Sequence, residues 1–339
     1  MQCMHPVKNI LIRLPNWLGD MVMATPLVKA IGLQYPDATI DVIAKKGIDF
    51  LLDSFPPHQH TYSFDKAAYP GLAGAWKFGK EISKQKKYDL LFCMPDSLSS
   101  AVMARATNAK NRIGFSKEMR QLLLTDAYKK PRGKHRVEEY MCLLEKYTKQ
   151  KLNTPPVELK VTAPLPPQFT APYWVININS EASSRRLPAA KAVSIIQKIR
   201  TITQDTILLI GSPKESDFVN EVYAQLENKT NIISIAGKTS IAELTGLLSH
   251  AEIMLTTDSG PAHVSYALGT PTLVLFGAGN EKNTGPFNKN NSCVIRLGKL
   301  ACEPCMNNVC KIYGIPECLL QLDENKIAES ALQLLKNKN

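Results

Sequence analysis

Short apolar runs alternate with amphipathic stretches along the first half of the chain. Residues 9–14 form an apolar run that leads into a Pro-Asn-Trp-Leu-Gly turn, and residues 20–33 then carry apolar positions at helical spacing. Further apolar runs at residues 39–43 and 89–94 continue the alternation, with helical stretches between and after them. This order of elements predicts an α/β domain built on a parallel sheet.

A proline-rich stretch separates this half from a second one of the same kind. Six prolines fall between residues 153 and 173, where they disfavour helix and central strand and favour an extended connector. We therefore predict two domains, residues 1–160 and 161–339. A final helix at about residues 323–336 is a candidate to pack back across the first domain. After the connector, strands are predicted at residues 174–178, 206–210, 232–235, 253–256 and 272–276.

The length of 339 residues also favours two domains, since single cores rarely organise so long a chain. Two doubly wound domains bind ligands at the carboxyl ends of their strands, so we expect a central cleft that both domains face. The first loop lacks the G-x-G-x-x-G spacing of a dinucleotide site, which argues against an NAD-dependent oxidoreductase.

Composition narrows the class of protein further. Hydrophobic residues make up 44% and charged residues 21%, as in packed soluble chains. No apolar run approaches the ~20 residues that cross a bilayer, and the N-terminus lacks a signal-peptide pattern, so we expect a cytoplasmic location. The net charge of +11 favours an anionic partner, whether nucleic acid, phosphorylated sugar or an acidic membrane face. No nucleic-acid-binding motif accompanies that charge.

Two strand-to-helix loops carry candidate chemistry. Asp20 follows Gly19 at the start of the first helix, where it is either a first-turn acid that complements the helix dipole or a general base. In the second half, Asp258 opens an Asp-Ser-Gly-Pro loop before a helix, and free N–H groups in such a first turn form an anion site. The alternative is a well-capped helix, in which His263 is an ordinary satisfied histidine.

The C-terminal segment holds four of the eight cysteines. Their spacing, C-x2-C-x4-C-x7-C, suits either a tetrahedral zinc site or reduced structural thiols. The remaining cysteines, Cys3, Cys93, Cys142 and Cys293, are interpreted as packing residues. The zinc candidates are Cys302, Cys305, Cys310 and Cys318.

Several motifs, in order along most of the chain, resemble those of one family. Together they are similar to the ADP-heptose:lipopolysaccharide heptosyltransferases of glycosyltransferase family 9, and the cysteine segment resembles the heptosyltransferase II branch. The motifs are RLPNWLGDMVMATPLVKAI at 13–31, RIGF at 112–115, HRVEEY at 135–140, SRRLP at 184–188, and DSGPAHVSYALGTPTLVLFG at 258–277 followed by TGP at 284–286.

The resemblance implies a GT-B fold and inverting transfer of heptose from ADP-heptose to the inner core of lipopolysaccharide, with no cofactor required. It also implies that Asp20 is the catalytic base. Donor-binding candidates are Ser180, Arg185, Arg186, Glu215, Asp258, Ser259, Gly260 and His263, with Glu215 alternatively a first-turn helix acid. Acceptor-binding candidates are Asn16 and Arg112 together with Arg120, Lys130, Arg132 and Arg136.

The last four of these residues belong to a basic segment. Residues 117–136 contain seven Lys or Arg residues and two acids, which indicates either a solvated face or a surface for an anionic acceptor. Contact with anionic lipid at the cytoplasmic face of the inner membrane is a further expectation.

The donor motifs depart from the family pattern at two places. Arg185 replaces the usual lysine and Leu187 the usual tryptophan, and residues 177–181 lack the glycine-rich form. Arginine binds phosphate through a bidentate fork instead of a point charge. The alternative function is a nucleotide-sugar-binding protein of the same fold with another donor and acceptor, or without catalysis.

Overall fold

The computed structural model describes residues 6–117, 119–161, 164–169 and 172–337. The chain divides into two compact units, Met1–Glu158 and Leu159–Asn339, and the predicted domain boundary at residue 160 falls in the same connector. Among the described residues, no helix has both the length and the apolar character needed to cross a bilayer.

The first unit alternates strands with helices from its first strand onward. Single 3-10 turns at Asp49–Ser54 and Arg120–Leu123 supplement the regular elements. The regular elements are β1 (Asn9–Arg13), α1 (Leu18–Val22), α2 (Thr25–Gln34), β2 (Thr39–Lys45), β3 (His60–Phe64), α3 (Gly71–Gln85), β4 (Leu90–Cys93), α4 (Leu98–Ala106), β5 (Asn111–Phe115), β6 (Asp126–Tyr128) and α5 (Arg136–Thr148).

The sheet of this unit is parallel throughout, in the order β3-β2-β1-β4-β5-β6. In the central strand β1, Ile12 pairs with Val42 of β2 on one side and with Phe92 of β4 on the other. The chain order reverses between β1 and β4, and the loops that follow these two strands diverge there.

One predicted helix is two helices. The sequence pattern predicted a single helix over residues 20–33, whereas α1 ends at Val22 and α2 begins at Thr25. Pro26 lacks the N–H that would continue the hydrogen-bond ladder, and the Thr25 hydroxyl instead donates to the Val22 carbonyl at 2.8 Å. Asp20 consequently lies in the first turn of a short, separate helix.

The second unit repeats the architecture. A 3-10 turn at Ser183–Arg185 lies between its first strand and first helix. The regular elements are β7 (Tyr173–Asn177), α6 (Ala189–Ile202), β8 (Thr206–Leu209), α7 (Ser216–Ala224), β9 (Ile232–Ser234), α8 (Ile241–His250), β10 (Ile253–Thr257), α9 (Gly260–Ala267), β11 (Thr272–Phe276), α10 (Glu281–Thr284), β12 (Ser292–Arg296), α11 (Glu317–Leu320) and α12 (Glu324–Lys336).

Its sheet runs in the order β12-β11-β10-β7-β8-β9, with parallel pairing throughout and a reversal of chain order between β7 and β10. Strands such as Ile253–Thr257 are buried along their whole length because helices cover both faces, which explains their continuous apolar sequences. Ile327 and Leu334 of the last helix, α12, are buried in the core of this second unit. The predicted α/β class with two doubly wound sheets is confirmed.

Candidate active site

A pocket lies at the carboxyl end of the first sheet, where the loops after β1 and β4 separate. Parallel sheets bind ligands at such a reversal of chain order. The loop after β1 contributes Asn16 and Trp17, and the loop after β4 contributes Asp96. Asp20 of α1 and Tyr140 of α5 complete its polar wall.

Asp20 lies in this pocket with its side chain 23% exposed. Its Oδ1 is 3.2 Å from Nε of Arg136, and Tyr140 lines the same pocket. Burial raises the pKa of Asp20 above its ordinary value, although the positive charges of Arg136 and Lys130 oppose that rise. A carboxylate with a raised pKa is a stronger proton acceptor than an exposed aspartate.

Charges of alternating sign surround this carboxylate. Arg136 also contacts Glu139, at 2.9 Å between Nη1 and Oε2. Lys130 lies 3.3 Å from the same Glu139 oxygen and 3.4 Å from Asp96. Lys130 and Arg136, both predicted to bind the acceptor, are thus brought together beside Asp20.

Asn16 is held by a buried arginine that sequence reasoning missed. Arg13, at the end of β1, donates to the carbonyl of Leu14 at 2.6 Å and to Oδ1 of Asn16. Burial lowers the pKa of Arg13 to about 10. Asn16 therefore lines the pocket with its amide oxygen already held by the arginine.

The second unit presents a polar cluster at the equivalent place in its own sheet. Asn177 ends β7 and donates through Nδ2 to the Ser259 hydroxyl at 2.9 Å, after β10. The Ser180 hydroxyl donates to the Asp258 carbonyl at 3.2 Å. These bonds hold together the loops after β7 and β10, which flank the reversal of chain order.

Asp258 is the most deeply buried acid of this cluster. Its Oδ2 lies 3.2 Å from Nη1 of Arg185, on the loop after β7. Burial raises the pKa of Asp258, and Arg185 opposes the rise more strongly than Arg296 does. Gly279 leaves room for the carboxylate, since a Cβ at that position would overlap Oδ2.

Buried donors in this cluster have no protein acceptor. Among the described residues, Nε of Arg185 and Nε of Arg186 are buried without a hydrogen-bond partner. The Arg186 guanidinium stacks 5.1 Å from the ring centroid of Phe218. Buried polar atoms are nearly always satisfied in native proteins, so unsatisfied donors on two consecutive arginines indicate an anionic ligand.

The first turn of α9 has no side-chain cap, which suits the same anionic ligand. Ser259 occupies the position before the helix, yet its hydroxyl makes no capping bond and contacts Asn177 and Thr256 instead. Pro261 follows Gly260, as expected for the first turn of a helix. The positive end of the helix dipole therefore adjoins Asp258 and Ser259.

Comparison with known proteins assigns these features to a family. Residues 75–315 match glycosyltransferase family 9 (heptosyltransferase). The chain belongs to this family. It is a glycosyltransferase, and the resemblance drawn from its sequence motifs is confirmed.

Relatives of the family 9 chain match it along nearly its whole length. It is 27% identical to lipooligosaccharide heptosyltransferase 2 of Campylobacter jejuni over 98% of this chain and 99% of the relative. The structure of the E. coli ADP-heptose lipopolysaccharide heptosyltransferase II has a TM-score of 0.82 and 22% identity, covering 97% and 99% of the two chains. E. coli heptosyltransferase WaaC with ADP-2-deoxy-2-fluoro heptose has a TM-score of 0.74 and 16% identity over 96% and 99%. The GT-B fold class is confirmed.

Two of the predicted acceptor arginines of this family 9 protein bind groups of their own unit, and their acceptor-binding roles stay predictions. Arg120 is completely buried and donates to the Phe115 carbonyl at 2.7 Å and to Sγ of Cys93 at 3.1 Å. Arg112 lies near the amino end of β5, away from the carboxyl edge, and donates to the carbonyls of Leu123 and Ala109. Both arginines hold backbone together, whereas Arg132 is exposed on the loop before α5.

Two donor candidates have local partners. His263 is only 6% exposed, and its Nδ1 lies 3.2 Å from the Tyr266 hydroxyl, which matches the alternative of a satisfied helix histidine. Glu215 accepts from the backbone N–H and hydroxyl of Ser212 at 2.8 and 2.7 Å. The donor-binding roles of His263 and Glu215 remain predictions. Leu187, in place of the family tryptophan, is buried in the core of the second unit.

The four C-terminal cysteines line one small cavity, together with Glu303 and Ser184. Burial raises the pKa of the Cys318 thiol to about 11, and neighbouring Glu303 adds to the rise. Across the described ranges, no three His, Cys, Asp or Glu side chains are grouped as metal ligands. Zinc binding stays a prediction. Cys93 is buried, Cys142 and Cys293 are partly buried, and Cys3 lies outside the described residues.

Proposed function

We propose that this family 9 glycosyltransferase moves heptose from ADP-heptose to the inner core of lipopolysaccharide, with inversion at the anomeric carbon. The observation that carries the proposal is the Asp20 carboxylate, partly buried in a polar pocket of the first unit with a raised pKa. The names of its relatives, which include a lipooligosaccharide heptosyltransferase and an ADP-heptose heptosyltransferase, support the donor and the acceptor class.

Asp20 acts as the general base. Its carboxylate accepts the proton of an acceptor hydroxyl as the oxygen forms a bond to C1 of the heptose. On the opposite face of the sugar the bond between C1 and the diphosphate oxygen breaks through an oxocarbenium-like state, and ADP leaves with the electron pair. One displacement of this kind inverts the configuration at C1.

The second unit binds the donor. The diphosphate accepts hydrogen bonds from Arg185 and Arg186, whose Nε atoms have no acceptor among the residues that the structure describes, and from the first turn of α9. These groups stabilise the charge that builds on ADP as it departs, and they are fixed before the reaction begins. Asp258 holds Arg185 in place through its ion pair. Ser180, Ser259 and Glu215 are the proposed hydroxyl and ribose contacts.

The acceptor is anionic and binds the basic wall of the first unit. Lys130 and Arg136 face the Asp20 pocket, Asn16 lines it, and Arg132 is exposed on the adjacent loop. The pocket lining also carries an exposed apolar side chain, Trp17, at 57% exposure. Apolar and basic groups on one edge of the sheet suit peripheral contact with an anionic lipid surface at the cytoplasmic face of the inner membrane.

The test is ADP release from ADP-heptose and truncated inner-core lipopolysaccharide. Asp20→Asn keeps the shape of the side chain and removes the base, whereas Asp53→Asn changes an exposed acid elsewhere in the same unit. We expect wild type and Asp53→Asn to release ADP and Asp20→Asn to lose at least about 10²-fold in rate. Equal rates for all three proteins overturn the role of Asp20. Binding of ADP-heptose without release by any of them favours the alternative, a nucleotide-sugar-binding protein.

A further inference from the structure

The turn that carries the donor arginines is bonded to a distant part of the chain. The Ser184 hydroxyl donates to the Asn307 carbonyl at 2.5 Å, and the Ser184 backbone N–H donates to the Asn308 carbonyl at 3.2 Å. The Ser183 hydroxyl donates to the same Asn308 carbonyl at 3.2 Å. Three hydrogen bonds from two consecutive residues therefore fix the 3-10 turn Ser183–Arg185 to one short stretch of backbone.

That stretch belongs to the segment between β12 and α11, residues 297–316. The structure describes every residue of this segment and assigns it neither a helix nor a strand, which is uncommon for so long a connection in a compact unit. Two contacts tie the segment to the second sheet. Its Glu303 lies 3.5 Å from Nη1 of Arg296, the last residue of β12, and the Met306 N–H donates to the Ala278 carbonyl, after β11, at 2.9 Å. The segment therefore offers the turn a fixed support.

The turn is buried at the residue that meets this support. Ser184 is 2% exposed, and it lines the same cavity as the four C-terminal cysteines. A buried hydroxyl without a partner would be costly, so the bond from Ser184 to the Asn307 carbonyl determines where the turn lies. Arg185 and Arg186 follow Ser184 directly, so the place of the turn also determines where both arginine side chains begin.

We propose that Ser184 is a positioning residue for donor binding: its bonds to residues 307 and 308 hold the turn so that the guanidinium groups of Arg185 and Arg186 are in place before ADP-heptose binds. This inference rests on the proposed donor role of the two arginines. Nε of each is buried without an acceptor in the part of the chain that the structure describes. Ordering a loop on binding weakens affinity, and a turn that is fixed beforehand avoids that loss.

The matched control is a second buried hydroxyl that donates to a distant backbone carbonyl. Thr270 is 3% exposed, and its hydroxyl donates to the Leu248 carbonyl at 2.5 Å. It lies between α9 and β11, at the amino edge of the second sheet, whereas Ser184 follows the carboxyl end of β7. Ser184→Ala and Thr270→Val each delete one such hydroxyl from the same unit. A difference between them in ligand binding reports the position of Ser184 and not the general loss of a hydrogen bond.

The experiment measures the Kd values of ADP and of AMP on the full-length protein by isothermal titration calorimetry. AMP lacks the β-phosphate, so the ratio of the two Kd values separates recognition of the diphosphate from recognition of adenosine. We expect wild type to favour ADP, Ser184→Ala to lower that preference about fivefold, and Thr270→Val to keep it. Ser183→Ala removes only the exposed hydroxyl of the turn and should lower the preference about twofold, which provides a test even if Ser184→Ala does not fold.

Two results of the calorimetry would overturn the proposal. One is an unchanged preference for ADP in both serine variants. The other is an equal loss of affinity for ADP and AMP, because it indicates a general distortion of the unit and not a displacement of the arginines. Failure of wild type to bind ADP is a different result, since it overturns the proposed donor itself.

The second readout needs no ligand and therefore decides the positioning role even in that case. It is the heteronuclear NOE of the Nε–H groups of Arg185 and Arg186 in 15N-arginine-labelled protein, with Arg185→Lys and Arg186→Lys to assign the signals. We expect both NOE values to fall in Ser184→Ala and to stay at the wild-type level in Thr270→Val. Wild-type NOE values in Ser184→Ala would contradict the positioning role.

Discussion

The substitution Gly279→Ala tests the donor site through a single methyl group. A Cβ at residue 279 would overlap Oδ2 of Asp258, would lie 3.1 Å from its Cγ, and would lie 3.4 Å from the ring of Phe276. Asp258 is 4% exposed and is packed against Arg185, so its carboxylate has little space into which it can retreat. The methyl group must therefore displace the carboxylate and disturb the ion pair.

The magnitude follows from overpacking of a buried site, which costs about 1–3 kcal/mol. We expect a Tm lower by about 2–4 °C for each kcal/mol. We also expect a Kd for ADP, measured by isothermal titration calorimetry, that is weaker by about tenfold, because a displaced Asp258 no longer holds Arg185 and about 1.4 kcal/mol corresponds to that factor. The matched control is Gly32→Ala, where the added Cβ would meet only Ile40, at an ordinary 3.7 Å. Wild-type ADP affinity and Tm in Gly279→Ala would refute this reasoning about the donor site.

Three further predictions concern the first unit. Arg120→Met should lower the free energy of unfolding, measured in urea, by about 1–3 kcal/mol, because the Phe115 carbonyl and Cys93 lose a buried donor. The KM for the acceptor should change little. A large change in KM at unchanged stability would contradict the structural role. Asp20→Asn should raise the Tm by more at pH 8 than at pH 5. Burial raises the pKa of Asp20, so the ionised carboxylate destabilises the folded wild-type protein once pH rises through that pKa, and asparagine removes this cost. Equal Tm differences at both pH values would count against burial as the cause. Trp17→Glu should weaken co-sedimentation with anionic vesicles more than Phe50→Glu does, since the two side chains are similarly exposed (57% and 62%) but of the two only Trp17 lines the pocket. Equal effects of the two substitutions would remove the case for membrane contact there.

The fold was predictable because its signal is local. Strands such as β10 and β11 are buried on both faces, so each leaves a continuous apolar run in the sequence. The division between α1 and α2 was missed, although Pro26 was a visible signal for it. Helical spacing on both sides of the proline outweighed that signal.

The site was predictable only in part. Asp20 and Asp258 stand at strand-to-helix junctions, and such positions always fall at the carboxyl edge of a parallel sheet. Arg120 was placed among the acceptor candidates because a run of basic residues does not reveal which side chains turn inward, and this one is completely buried. Asp96 follows β4 and was accessible to the same junction argument, whereas the place of Tyr140 in the Asp20 pocket depends on how α5 packs, which no local pattern encodes.

The central claim is that this protein transfers heptose with Asp20 as the base. Its most direct test is the mass and anomeric configuration of the product formed from ADP-heptose and truncated inner-core lipopolysaccharide. The account predicts an acceptor heavier by one heptose residue, of inverted configuration at C1, with wild type and no such product with Asp20→Asn in the same time. Product of retained configuration, or equal product from Asp20→Asn, would contradict it.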